Sequence, residues 1–440
     1  MSTTRTPLRP AARQPRPARQ HRLPRLPRQV AFAVVAVSFV GVFLASGTPV
    51  PLYNTYRAED GITSAGLAVT TVIYLATTAI ALLTTGRLSN HLGRRPVAIG
   101  AVLCSALGCV LLLNVHTLGE LVAGRFFQGI ACGVATSALG SYVLDLAPER
   151  PGWLGAVITS NAPPFAIPVG ALLSGTLVEF EPAPRLLIYS IVAAALVVLA
   201  VGLFFSPESV SRTPGAVRSL RPRILVPHGR GRILFAVGAG LVATWSLSGF
   251  YQAFSPVLAA DELGTDSALV VAVVFSSIVV LSPVGGLLTG RWSSVVAVRA
   301  GLGAFVLATA GILTALTAGQ IGWFLAASAV AGIAQGAANA GGMRAVLAGA
   351  APADRAGLLA TVYLISYTGA AVPGLVAGRL ATSVAPDHIA LGYGALVLVA
   401  ASVAVVAVRS GRPSGPSAAA RGLASQQQRA SSGPDDLPDP

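Results

Sequence analysis

The stretch GRLSNHLGRRP, residues 86–96, sets three arginines, a histidine, two glycines and a proline between two long apolar runs. The surrounding chain of 440 residues is 54% hydrophobic and 10% charged, with mean hydropathy +0.72. A water-facing surface cannot hide that much apolar side chain, and the charges are too few to coat several globular domains. A lipid bilayer is therefore the expected solvent. Working outward from residues 86–96, the apolar runs fall at 30–52, 66–88, 96–115, 119–146, 152–178 and 186–206, then at 232–258, 267–290, 298–317, 320–348, 357–382 and 389–409. Each is near the ~20 residues with which a helix crosses about 30 Å of hydrocarbon. None shows the sustained alternation of a membrane barrel. The expected fold is all-α, with twelve transmembrane helices.

Arginine sets the orientation. The chain has no lysine, and the loops of one side take nearly all 30 basic residues: eight in residues 1–28, Arg87, Arg94 and Arg95, Arg150, six from Arg212 to Arg232, Arg291, Arg299, Arg355 and four in the tail. The opposite loops hold Arg57 and Arg185, with Arg379 near a helix end. The positive-inside rule then places both termini in the cytoplasm, in a multi-pass protein of the cell membrane. Residues 86–96 become a tight cytoplasmic turn held at the anionic lipids of the inner leaflet. This topology accounts for the net charge of +14, and the basic N-terminus lacks interleaved aromatics or a binding module, so nucleic acid is not an expected partner. A cleaved signal peptide is a weaker reading of the first apolar run than a retained anchor, given eleven further spans. Cys104, Cys109 and Cys132 fall inside spans without metal-ligand spacing and read as small apolar side chains.

The chain also repeats itself. LLTTGR at 82–87 returns as LLTGR at 287–291, GIACG at 129–133 as GIAQG at 332–336, and APERPG at 147–152 as APADRAG at 351–357. A common offset of about 204 residues divides the chain into two six-helix bundles, residues 30–206 and 232–409, joined by a cytoplasmic linker at 207–231. An even helix count per half makes them parallel repeats about an axis along the membrane normal. Residues 1–29, rich in Arg and Pro, and residues 410–440, rich in Ser, Gln, Gly and Pro, are expected to be disordered.

Gly86-x-x-x-Asn90-His91-x-Gly93-Arg94-Arg95 resembles the signature loop between helices 2 and 3 of the major facilitator superfamily, G-x-x-x-D-R/K-x-G-R/K-R/K. Arg125-x-x-Gln128-Gly129 is similar to that family's second motif, and LDLAPERPG at 144–152 to its link from helix 4 to helix 5. The resemblance covers residues 30–409 and implies the same twelve-helix fold and a secondary transporter. In such relatives the acid of the signature loop faces the N-terminus of helix 11 and helps hold the cytoplasmic gate shut. Asn90 stands in that place and can still accept a hydrogen bond, but it lacks the charge term of about 0.3 to 1 kcal/mol at an exposed helix end. His91 replaces the usual permanent cation, so the charge there is expected to depend on pH. Asp145, at the cytoplasmic end of helix 4, is expected to pair with Arg94 and do most of the latching. The competing reading is a solvated loop that sets topology alone.

Within the membrane Arg125 is the outstanding charge, with Gln128 and Cys132 at i+3 and i+7 on its helix face. At depth an arginine costs about 2.5 to 3.5 kcal/mol, so it should face a wet cavity or a partner. Its alternative is to snorkel to the outer headgroups, since Glu120 marks the outer end of the helix. By resemblance Arg125 would bind an anionic group of the substrate or tune proton transfer. Neutral polar and aromatic residues, Tyr53, Asn54, Asn161, Trp245, Tyr251, Gln252, Ser328, Gln335, Asn339, Tyr363 and Tyr367, read either as a chamber between the halves or as interhelical hydrogen bonds and interfacial anchors. Pro163, Pro164, Pro168 and Gly170 in helix 5, with Pro373 and Gly374 in helix 11, fit bent, closely packed helices. They echo the helix 5 motif of proton-driven exporters without its Gly-Pro pair. No carboxylate lies deep in a span, which leaves Glu120 as the candidate proton carrier.

No nucleophile, base and orienter can be assembled, and no phosphate loop or metal cluster is present, so an enzyme or an ATP-driven pump is not expected. The leading expectation is a monomeric exporter of small hydrophobic compounds in exchange for protons, working without cofactor by alternating access. Uptake of a metabolite whose anionic group is read by Arg125 is the alternative, and a transport-inactive sensor with a basic docking arm is a third.

Overall fold

A computed structural model describes residues 25–222, 231–350 and 352–409, with backbone alone for 352–354, 356 and 409. The terminal segments expected to be disordered lie almost entirely outside these residues. Twelve helices are long and apolar enough to span a membrane. They are α1 (Arg28–Asp60), α2 (Ser64–Thr85), α3 (Arg94–Leu112), α4 (Leu118–Leu146), α5 (Leu154–Phe180), α6 (Pro184–Phe205), α7 (Gly231–Glu262), α8 (Ala268–Leu288), α9 (Ser294–Thr317), α10 (Ile321–Leu347), α11 (Gly357–Leu380) and α12 (Pro386–Val408). No strand occurs among the described residues. The side that carries the start of α1 and the segment after α6 is called the near side, and the opposite one the far side.

Helix starts follow from side chains that accept the first free N–H groups. Thr63, Thr117, Ser267 and Ser293 cap α2, α4, α8 and α9, and Thr117 forms a full capping box with Glu120. The largest departure from the expected spans is α1. Its apolar run ends at 52, yet after a short 3-10 turn over Val50–Leu52 the helix resumes as Tyr53–Asp60 and stops at Gly61, φ 65. Pro49 and Pro51 read as a terminus in sequence, but proline is tolerated in the first turn of a helix, where its missing N–H costs nothing.

The two bundles pack alike. Helix α1 lies on α4, α5 and α6 as α7 lies on α10, α11 and α12; α4 holds α2 and α3 as α10 holds α8 and α9. The repeated glycines explain the match. Cβ atoms at Gly129 and Gly133 would stand 2.6 Å and 2.4 Å from the carbonyl oxygens of Tyr74 and Thr78 on α2. At Gly332 and Gly336 they would stand 2.7 Å and 1.8 Å from those of Ile278 and Ser282 in the α8 region. Glycine at both places lets two backbones touch, the means by which helices associate in lipid.

Between the bundles, α2 meets α11 and α5 meets α8. Gly378 packs on Ala68 and Gly175 on Ala272, with ideal Cβ separations of 2.6 Å and 2.7 Å, all toward the far side. Polar bridges gather there too. Arg57 stands 3.9 Å from Asp261, Asn54 Nδ2 donates to Pro256 O at 3.3 Å, and Ser267 Oγ donates to Glu179 Oε2 at 2.9 Å. The halves are thus pinned to each other at their far ends.

Candidate functional site

Three groups of side chains stand out, at the near side, in the middle and at the far side. On the near side, Leu88–Leu92 forms a short helix and Gly93, φ 97, turns the chain into α3. Arg94 Nε donates to Asp145 Oδ2 at 3.0 Å, and Nη1 donates to Ser89 Oγ at 2.7 Å and Asn90 Oδ1 at 2.6 Å. The side chains of Arg94 and Asp145 are 13% and 30% exposed, so the pair is only partly screened. Gly86 stands where α2 ends, and Arg95 reaches Phe204 O at 3.3 Å. In this conformation the polar groups of Asn90 and His91 turn to their own half and to the segment after α6, with His91 Nδ1 3.1 Å from Pro214 O.

In the middle, Arg125 is completely buried among α1, α2 and α4. Nη1 donates to Ser46 O at 2.7 Å and Gln128 Oε1 at 3.0 Å, while Gln128 Nε2 donates to Ala45 O at 2.9 Å. The guanidinium lies 4.1 Å from the ring centroid of Tyr74, a cation–π contact that a desolvated site strengthens. Nε and Nη2 have no hydrogen-bond partner among the described residues. The guanidinium is thus enclosed by protein rather than extended along the helix surface. The cation sits behind Tyr74, whose Oη donates to Ser46 Oγ at 3.3 Å. At the corresponding place in the other half, 203 residues on, stands neutral Ser328, paired with Tyr251 Oη.

The expected chamber residues separate into two sets. Tyr53, Gln252 and Gln335 are buried, and Gln335 is held by Ser248 Oγ at 3.1 Å and Ile278 O at 3.0 Å. Asn161 turns back on Val157 O at 2.9 Å, and Asn54 belongs to the far-side bridge. Trp245, Tyr363 and Asn339, by contrast, are half-buried on α7, α11 and α10. Trp245 packs edge-on to Tyr367 with centroids 5.2 Å apart, Tyr363 stacks on Tyr367 at 6.4 Å, and Asn339 Oδ1 accepts from Thr244 Oγ1 at 3.1 Å. Pro163, Pro164 and Pro168 lie inside α5, and Gly170 brings α5 against the Leu44 carbonyl. Pro373 lies inside α11, with Gly374 beside Val72.

On the far side Glu120 is an exposed helix cap, its Oε2 accepting the N–H groups of His116 and Thr117 at 2.7 Å and 2.9 Å. A more buried acid, Asp60, carries no motif that marks it in the sequence. Its side chain is 6% exposed, with Arg185 Nη2 2.7 Å away in an oblique ion pair and His116 Nδ1 at 3.3 Å. Arg185 also reaches Glu59 at 2.8 Å and covers the Tyr56 ring at 4.8 Å. Asp60 has no signal of its own because it lies beyond the two prolines that read as the end of the first helix.

Residues 35–375 match the Major Facilitator Superfamily. The chain belongs to this superfamily. Within it, "Multidrug resistance protein MdtL" of Klebsiella pneumoniae subsp. pneumoniae is 29% identical over 218 residues, 48% of this chain and 53% of that protein. The "Uridine/deoxyuridine transporter" of Lactococcus lactis subsp. cremoris is 28% identical over 190 residues, 43% of this chain and 39% of that one. The chain thus spans about half the length, or less, of these curated relatives. Among solved superfamily structures, a bacterial homolog of the human lysosomal transporter Spinster aligns over 87% of this chain and 97% of its own with TM-score 0.67 and 13% identity, a likeness of fold. Superfamily membership together with twelve helices long and apolar enough to cross a membrane makes the chain a multi-pass membrane protein.

Proposed function

We propose that the protein exports small, largely apolar organic compounds across the cytoplasmic membrane in exchange for protons, by rocking of its halves, with the near side facing the cytoplasm. The observation that carries this reading is the half-buried aromatic pair of Trp245 and Tyr363, backed by Tyr367, with the half-buried amide of Asn339 bonded to Thr244 next to Trp245. These side chains offer aromatic faces and one amide but no fixed charge, a surface suited to uncharged or aromatic ligands. The name of the Klebsiella relative supports this class, and the arginine-rich near side supports the orientation. Removing one aromatic face gives up about 0.5 to 1.5 kcal/mol, so Trp245→Ala is expected to raise KM two- to tenfold, roughly, with little change in maximal rate. Initial rates across a panel of apolar dyes in inverted vesicles measure this, and an unchanged KM for every compound would remove the aromatic pair from the binding site.

In the same reading the Arg94–Asp145 pair, which lies within one half, holds the signature loop in place for latching at the near-side gate. Partial exposure limits its worth to about 1 kcal/mol, so Asp145→Asn should slow turnover about fivefold. Unchanged turnover and unchanged near-side accessibility would end the latch. A second reading, uptake of a compound with an anionic group, is favoured by the two unpartnered donors of Arg125. It predicts that anionic compounds compete with transport and that Arg125→Gln abolishes the competition.

A further inference from the structure

The first free N–H groups of a helix carry partial positive charge and attract a carboxylate. At the start of α3 that carboxylate comes from outside the signature loop. It is Glu208, just beyond the end of α6. Oε1 accepts the N–H of Arg94 at 2.7 Å and Oε2 that of Arg95 at 3.2 Å. Gly93 makes the seat, since a Cβ there would stand 2.5 Å from Glu208 Oε2. Past Glu208 the chain runs along the loop. Ser209 Oγ donates to Asp145 Oδ2 at 2.8 Å, the Thr213 N–H donates to His91 O at 3.0 Å, and Thr213 Oγ1 donates to Asn90 O at 3.5 Å. Arg87 Nη2 then donates to the carbonyls of Ser219 at 3.3 Å and Arg221 at 2.8 Å. Residues 207–221 form a strap fastened to the loop at both ends.

We propose that Glu208 supplies the negative charge that ties the start of α3 to this strap, and that the strap is the docking partner of the signature loop while the far side is closed, so that freeing the strap favours closure of the near side. The proposal rests on the reading of the loop as the near-side gate. Its physical basis is competition. A loop whose carbonyls and arginines are engaged by the strap cannot offer the same groups to the opposite half. Glu208 is a positioning residue, because it acts through the loop and α3.

The test is a distance measurement by double electron–electron resonance on the full chain in lipid vesicles. Spin labels are placed at Trp153→Cys and Trp292→Cys, both exposed on the near side, one in each half. Cys104→Ala removes the one native thiol that is not buried. Glu208→Gln and Arg87→Gln free opposite ends of the strap. Each is expected to raise the ratio of short to long near-side distances about two- to fivefold, the scale of one exposed charge at a helix end. Glu208→Asp, which keeps the charge, should retain the parent distribution. Parent-like distances in both charge-removing variants, or a shift with Glu208→Asp as large as with Glu208→Gln, would overturn the proposal. If Glu208→Gln does not fold, Arg87→Gln decides alone. A distance shift with unchanged transport would keep the strap and discard the gate, so the two failures are separable.

Discussion

Arg125→Gln is expected to abolish transport driven by a pH gradient in inverted vesicles while substrate exchange without a gradient continues. Glutamine keeps polar reach toward Ser46 O and Gln128 but carries no charge to couple to proton movement. Holding an arginine at depth costs about 2.5 to 3.5 kcal/mol, and recovering that cost in the coupling step corresponds to about a hundredfold in rate. The variant should be as heat-stable as the parent or more so, because a buried cation with two donors unpartnered does not stabilise the fold. That combination separates a coupling role from structural damage. Gradient-driven rates at the parent level would remove Arg125 from the mechanism, and loss of exchange together with loss of driven transport would favour the anion-ligand reading.

Gly336→Ala should be among the most destabilising single methyl additions in the chain. The added carbon would stand 1.8 Å from the Ser282 carbonyl oxygen, a backbone atom with no rotamer by which to yield. Helices α8 and α10 must part, at about 1 to 3 kcal/mol, with a lower melting temperature in detergent and a smaller folded yield. Gly303→Ala in α9 is the control. Nothing lies within 4 Å of its Cβ position, and alanine in a helix interior is favourable by about 1 kcal/mol relative to glycine. Equal melting temperatures for the two variants would show that the α8–α10 contact is looser than its geometry.

Much of this was legible because lipid enforces a coarse grammar. A span must be long and apolar, so twelve helices, their grouping by the repeat and the position of residues 86–96 could be read from composition and punctuation alone. The Arg94–Asp145 contact was accessible too, since both residues sit at helix ends on the same face of the membrane. What sequence could not separate was the polar residues within spans. Tyr53, Gln252 and Gln335 have the same chemistry as the half-buried Trp245, Tyr363 and Asn339, and helix rotation decides which of them are enclosed. Glu208 and Asp60 were invisible for another reason. Each acts on a helix distant in sequence, and neither belongs to a motif that would have marked it.

The Gly175–Ala272 and Gly378–Ala68 contacts are separated by the repeat offset: 378 lies 203 after 175, and 272 lies 204 after 68. The seam is therefore isologous in the manner of a two-fold dimer interface, as if one ancestral six-helix chain had once bound a copy of itself before the genes fused. A line through the two contacts is a natural axle for the rocking that the proposed export requires. Widening one bearing without the other would tilt that axle, so the two glycines should tolerate paired replacement better than the sum of their separate effects.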